Sequence, residues 1–291
     1  MRYLIQFTAA LLLLANTALA WGPLEEPAAS YDGAIVIDIR APEAFEAGHI
    51  PGAVNTPYGL YRGPQDNPGR VPVLRKLQEV LRAAGADYGR EVLVVHEGRN
   101  ATDFGAAARV YWTLKSAGFG DLAVLNGGYT AWEAAGNKGE TGPVTPEPSD
   151  ITLSWSYEWM MGADDVQAVV NGRSEAVLID ARPLEFFKGE AKHGAAAEAG
   201  TLKGALNIVH STWFGGDGPI VDAPEDMLAR VRALAAENAD APLVSFCNTG
   251  HWAATNWFAA SELAGIEGVK LYPESMVGWT LLGNEVVVGG Q

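Results

Sequence analysis

"AIVIDIRAPEAFEAGHIPGAVNTP", residues 34–57, is written a second time later in the same chain, as "AVLIDARPLEFFKGE" at 176–190 followed by "GTLKGALNIV" at 200–209. Each copy has a short apolar run ending in Asp-x-Arg, then a turn containing Glu and Phe, then the pattern G-x-x-x-G-A-x-N. Short continuous apolar runs suit strands buried on both faces of a parallel sheet. A second pair closes each copy: "VLNGGYTAW" (124–132) and "LYPESMVGW" (271–279) align without a gap. Two matched pairs in the same order indicate an internal duplication.

Between the copies lies "GNKGETGPVTPEPSD" (136–150), rich in Gly, Pro, Thr and charge and without apolar periodicity, which reads as a linker. The expected organisation is a leader over 1–20, a first domain over 21–138, a linker over 139–153 and a second domain over 154–291. Strand-like runs are predicted at 35–37, 92–95 and 123–125, and again at 177–179, 243–246 and 269–272. Helical patterns such as "VLRKLQEVLRAAG" (73–85) and "DMLARVRALAAE" (226–237) alternate with them. That alternation predicts an α/β fold: two tandem domains, each a parallel sheet flanked by helices. The ligand site of such a sheet lies at the carboxyl ends of its strands.

The first twenty residues read as an address. Arg2 provides a positive start, residues 9–15 are apolar, and Ala18-Leu19-Ala20 has the form of a cleavage site, so a secretory signal ending at Ala20 and a periplasmic or secreted protein are expected. The apolar run is too short to span a bilayer. A formal net charge of −15 over 291 residues argues against nucleic acid or an anionic membrane surface as partner. An anionic substrate therefore has to be captured by local positive charge. Five histidines and a single cysteine show no metal-ligand spacing, and no glycine-rich phosphate loop follows a strand, so no metal or cofactor is expected.

That cysteine, Cys247, sits in "VSFCNTGHWAATNWFAASELAG" (244–265), where a buried strand meets a polar corner and then a helical pattern stopping at Gly265. Asn248, Thr249, Gly250, His251 and Trp252 must turn the chain, and Gly250 permits the torsion this requires. Successive N–H groups in such a corner form an anion-binding concavity, and the start of the following helix adds positive potential. Both favour a thiolate over a thiol of ordinary pKa about 8.5 and make Cys247 a candidate nucleophile.

The duplicated Asp-x-Arg strand, "GHIPGAVN", "NGGYTAW" and the loop opening with Cys after a strand resemble the rhodanese-like sulfurtransferases. The resemblance covers nearly all of the chain after residue 20 and is to the two-domain thiosulfate and 3-mercaptopyruvate sulfurtransferases. It implies that Cys247 attacks a sulfane sulfur, holds it as a persulfide cradled by loop amides, and passes it to a thiophilic acceptor such as a thiol or cyanide. Asn248, Thr249, Gly250, His251 and Trp252 would then bind substrate. The first domain would be non-catalytic: after "VLVV" its loop reads as longer, and His96 or Glu97 stands in place of the thiol.

The loop C-N-T-G-H-W contains no Lys or Arg. His251 is its sole potential cation, Arg182 is the expected external one, with an ion pair to Asp180 or Glu185 as its other role, and Lys203 could contribute. Thiosulfate is therefore a less obvious donor than a small-molecule or protein persulfide. The second copy also carries an insertion, "FKGEAKHGAAAEAGTLKG" (187–204), of the kind that lines sites. Of the nearby aromatics, Trp213 and Trp252 are candidates for a pocket floor, whereas Trp257 falls on the helix and reads as core. A cysteine phosphatase is disfavoured, because Ala253-Ala254 stands where an Arg would have to grip phosphoryl oxygens. A sulfur carrier without turnover, exchanging with partner proteins, remains the alternative function.

Overall fold

The structure, a computed structural model, describes residues 21–216 and 218–289. The leader expected over 1–20 lies outside them. The first half runs β1 (Leu24–Glu25), β2 (Ile35–Asp38), α1 (Pro42–Ala47), β3 (Val54–Asn55), α2 (Leu74–Ala83), β4 (Val92–Val95), α3 (Ala101–Ser116), β5 (Leu122–Leu125) and α4 (Gly128–Ala134). The second runs α5 (Ala163–Val170), β6 (Val177–Asp180), α6 (Leu184–Phe187), β7 (Leu206–Asn207), α7 (Glu225–Glu237), β8 (Leu243–Phe246), α8 (Trp252–Phe258), β9 (Lys270–Leu271) and α9 (Ser275–Leu281). Past Phe258, α8 continues as a wider π-helical turn, Ala259–Leu263, before Gly265 ends it in the left-handed conformation at φ +69°.

Every strand pairing is parallel, in the orders β1-β5-β4-β2-β3 and β7-β6-β8-β9. The central pairs share one register: Asp38 lies opposite Val95, and Asp180 opposite Phe246. The repeat read in the sequence is thus a repeat of topology. The two halves differ at one edge, where β1 has as its counterpart only a single bridge from Met160 to Leu271.

The Asp-x-Arg signature has the same structural reason in each half. Asp180 takes Nε and Nη2 of Arg182 at 2.9 and 2.6 Å, and Asp38 takes those of Arg40 at 3.0 and 2.7 Å, with all four residues buried. A bidentate pair satisfies the carboxylate where the strand ends and the chain must turn. Asn207 and Asn55 then tie each turn down, donating to the carbonyls of Asp180 and Arg182 and of Asp38 and Arg40 respectively.

The halves do not keep separate cores. α3 is buried on nearly every side, α8 likewise, and they pack against each other through Phe104, Tyr111, Trp257 and Phe258. One apolar cluster runs from Ile37 of the first sheet to Ile179 of the second. At the far end of this seam Glu262 accepts from Tyr111 Oη at 2.8 Å and from Lys115 Nζ at 2.7 Å. The duplication thus places the two strand-loop-helix corners face to face. The insertion over 187–204 is pinned in place: Gly200 O accepts from Arg182, Thr201 Oγ1 donates to Asp180 at 2.7 Å, and Ala197 N donates to Thr280. Among the described residues no helix is long and apolar enough to cross a membrane.

Candidate active site

Cys247 follows directly on β8, at the carboxyl end of a central strand. The two corners superpose in their hydrogen bonds: Met276 N and Val277 N donate to the carbonyls of Cys247 and Asn248, as Tyr129 N and Thr130 N do to those of His96 and Glu97. His96 therefore occupies the place of Cys247. The corners span residues 96–100 and 247–251 and match in length, which corrects the expectation of a longer loop in the first half.

What separates the corners is the carboxylate that only the first places against its backbone. In the first half, Asn100 Oδ1 accepts from Thr102 N and Asp103 N, and Asp103 Oδ2 accepts from Arg99 N at 2.8 Å. The first corner thus sets the Asp103 carboxylate against its own backbone, and Ala254 stands at the matching position in the second. The amides of Asn248, Thr249, His251 and Trp252 have no acceptor among the described residues, and neither do those of Glu97, Gly98, Asn100 and Ala101 at the matching positions. Gly250 sits at φ +68°, the left-handed torsion expected of it. Trp252, counted with the loop on sequence, is the first residue of α8; its ring stacks on His210 at 4.6 Å.

The amides of Cys247 and Gly250 go elsewhere, both to Ser275 Oγ, at 3.0 and 3.1 Å, and that hydroxyl donates in turn to Tyr272 O. Ser275 has φ +51°, the only non-glycine residue in the left-handed region among those described. Its counterpart in the gapless alignment is Gly128, at φ +63°. A serine held where glycine is at ease stores strain, and the hydroxyl that clamps the cysteine corner is what the strain maintains. Ser275→Ala should keep the strain and orphan two buried N–H groups, at about 1–3 kcal/mol for each. Ser275→Gly should regain part of that loss through the backbone. Neither should restore the rate at which Cys247 is alkylated, expected to fall at least about tenfold; denaturant midpoints beside alkylation rates check this.

The positive charge near the loop comes from an unexpected direction. Arg182 is buried and engaged by Asp180 and Gly200 O, and reaches the loop only through Nη1, 3.4 Å from Asn248 Oδ1. It positions the corner instead of presenting a cation to a ligand. His251 is not a cation either: burial, with Arg62 beside it, pushes its pKa down to about 3. Its Nε2 lies 2.7 Å from Thr102 O, which can only accept, so Nε2 carries the proton. Nδ1 must then accept from the Tyr58 hydroxyl at 2.9 Å, and Tyr58 accepts from Arg62 Nη1 at 2.9 Å. Burial raises the Tyr58 phenol above its ordinary value, with Arg62 and Arg109 pulling it back and Cys247 pushing it up.

Arg109, from the middle of α3, is wholly buried and donates to Gly69 O at 2.8 Å and, more weakly, to Gly250 O at 3.4 Å. Burial lowers its pKa to about 9, so it stays charged at neutral pH. Gly105 lets α3 come this close, since a Cβ there would lie 3.0 Å from the His251 ring. Thr102 Oγ1 also accepts from Trp252 Nε1 at 3.3 Å, and Asn67 donates to Glu274 at 2.6 Å across the same seam. The first half packs onto the second through α3 and α8. It closes over the corner and leaves Cys247 only 1% exposed.

Sequence reasoning therefore located Cys247 and its corner but missed Tyr58, Arg62, Thr102, Arg109 and Ser275. Ser275 was detectable as the residue aligned with Gly128; the other four carry no local signal. Trp213 and Trp257 are core, donating from Nε1 to Asn256 Oδ1 and Val269 O. Lys203 is exposed and makes no ion pair among the described residues.

The rhodanese-like domain family matches residues 20–135 and 162–282. A Pseudomonas aeruginosa protein named as a probable 3-mercaptopyruvate sulfurtransferase is 32% identical over 210 residues, 72% of this chain and 71% of that one. SseB of Mycobacterium tuberculosis, which bears a thiosulfate sulfurtransferase name, is 30% identical over 185 residues; the match spans 60% of this chain and 61% of SseB. Among solved structures, the 3-mercaptopyruvate sulfotransferase SseA of Escherichia coli superposes with a TM-score of 0.68 at 22% identity, covering 84% of this chain and 93% of SseA. The chain belongs to the rhodanese-like family.

Proposed function

We propose that this tandem rhodanese-like chain is a sulfurtransferase in which Cys247 carries the sulfur between donor and acceptor. The supporting observation is a thiol in a corner without a carboxylate: the first corner sets Asp103 against the Arg99 amide, whereas Ala254 stands at that position in the second and the amides of Asn248, Thr249, His251 and Trp252 stay open beside Cys247. Open amides suit the negative outer sulfur of a persulfide.

With thiosulfate, the Cys247 thiolate attacks the sulfane sulfur, a new S–S bond forms, and the old S–S pair leaves with sulfite. With 3-mercaptopyruvate the C–S bond breaks, and the carbon keeps the pair and takes the thiol proton to give pyruvate. A thiolate or cyanide then takes the outer sulfur and returns Cys247 to its starting state. Sulfur chemistry of this kind needs no other cofactor, and the leader expected over 1–20 would place it outside the cytoplasm.

The reading is tested by intact mass after exposure to thiosulfate, 3-mercaptopyruvate and a small persulfide, each beside Cys247→Ser. One added sulfur atom on the wild type, absent from the variant and removed by cyanide, is expected. No adduct from any donor would refute it. The near-complete burial of Cys247 also favours a second reading, a guarded carrier loaded by a partner. Multiple turnovers with a small donor and cyanide would exclude that role.

A further inference from the structure

Two arginines converge on the Cys247 corner from the first half, and neither has a carboxylate within ion-pair distance among the described residues. This is unusual in a chain of net charge −15. The other arginines near the two corners, Arg40, Arg99 and Arg182, are each paired with an aspartate. Arg109 is 0% exposed, with two carbonyls as partners and Nε without any. Glu274 acts on this guanidinium only from beyond ion-pair distance, and a buried charge without a contacting partner is costly, a cost that an anion sharing the site would offset. Arg62 is half-buried, spends Nη1 on Tyr58, and has no acceptor for its other N–H groups among the described residues. The Tyr58 hydroxyl is the hinge of this arrangement, since it joins Arg62 to His251 in the loop itself.

We propose that Arg62, oriented by Tyr58 and backed by the buried charge of Arg109, seats the anionic head group, carboxylate or sulfonate, of the molecule that approaches Cys247. The inference rests on the sulfurtransferase reading for its biological meaning, though not for its test. It gives the catalytically silent half the role of choosing the donor by charge, a role that the uncharged loop C-N-T-G-H-W cannot perform. An anion here lies against Arg62, with the buried charge of Arg109 behind it, on the side of the loop that Tyr58 joins to His251. His251, held neutral and hydrogen-bonded at both nitrogens, adds no competing charge.

Because Cys247 is the only thiol, its alkylation reports the site directly. Iodoacetate and iodoacetamide are close in size and differ in charge. The wild type should favour iodoacetate relative to a free thiol, and Arg62→Met should lower that preference about tenfold, with Arg62→Lys keeping part of it and added salt eroding it. A distorted loop would instead change both reagents together. In parallel, the KM for thiosulfate should rise at least about tenfold in Arg62→Met, with a much smaller change in kcat. An unchanged reagent ratio, or equal losses with both reagents, overturns the proposal. If Cys247 resists both reagents, the KM decides, and an unchanged KM overturns it. A charge preference that depends on Arg62 in a protein that forms no persulfide would uphold the anion seat and refute the sulfurtransferase reading.

Discussion

Arg182→Met is expected to destabilise the protein by about 3–5 kcal/mol, because it leaves the Asp180 carboxylate buried with only Thr201 Oγ1 and the backbone amide of residue 182 as donors. For a chain of this size the melting temperature should fall on the order of 10 °C. The double variant Asp180→Leu/Arg182→Met should recover much of this loss, since a buried ion pair gains little over an apolar pair of similar volume. Arg40→Met removes the equivalent pair in the first half and should cost a similar amount. The two sites should separate in function, because Arg182 also reaches Asn248 and Gly200 O, whereas Arg40 reaches Gly48 O and the Tyr129 ring. Sulfur loading at a temperature where both variants are folded should fall further in Arg182→Met. An Arg182→Met protein as stable as the wild type but inactive would contradict the positioning role and make Arg182 a direct substrate contact.

The second large effect is loss of stability in mild acid. His96, His210 and His251 are held neutral by burial, with pKa values lowered from 6.5 to about 4, about 4 and about 3. An imidazole that binds its proton more weakly when folded lets the unfolded chain take up protons first as the pH falls. The stability from these groups is thus complete above about pH 6.5 and drains away toward pH 4. At pH 5, His96 and His210 each account for about 2 kcal/mol of the loss. His96 is the cleanest test, being 1% exposed with neither ring nitrogen hydrogen-bonded. His96→Leu should change stability little at pH 7.5 and should recover about 2 kcal/mol of the loss at pH 5, measured by urea unfolding at both values. An identical acid loss in wild type and variant would show that carboxylates alone cause it.

Much of the architecture is local and was therefore legible. The apolar runs at 35–37, 92–95, 177–179 and 243–246 lie within strands or match them, because a strand buried on both faces needs nothing but apolar residues for its length. The end of β8, the torsion at Gly250 and the stop at Gly265 follow from residue types a few positions apart. The first corner was less legible: "HEGRN" read as part of a longer loop because Asn100, which caps α3, looks like one more loop residue until its side chain is seen accepting from Thr102 and Asp103.

The repeated Asp-x-Arg strand and the solitary thiol at a strand end were enough to determine the duplicated α/β fold and the position of Cys247, since near neighbours decide periodicity and backbone torsion. The electrostatics of that position belonged to the tertiary structure alone. Tyr58 and His251 meet across 193 residues of chain, and Arg109 and Gly250 across 141. Packing α3 against α8 makes His251 neutral, brings Arg62 and Arg109 to the corner and leaves Arg182 to Asp180. Charge acts through space and desolvation through the whole packed surroundings, so no stretch of sequence around Cys247 contains that information.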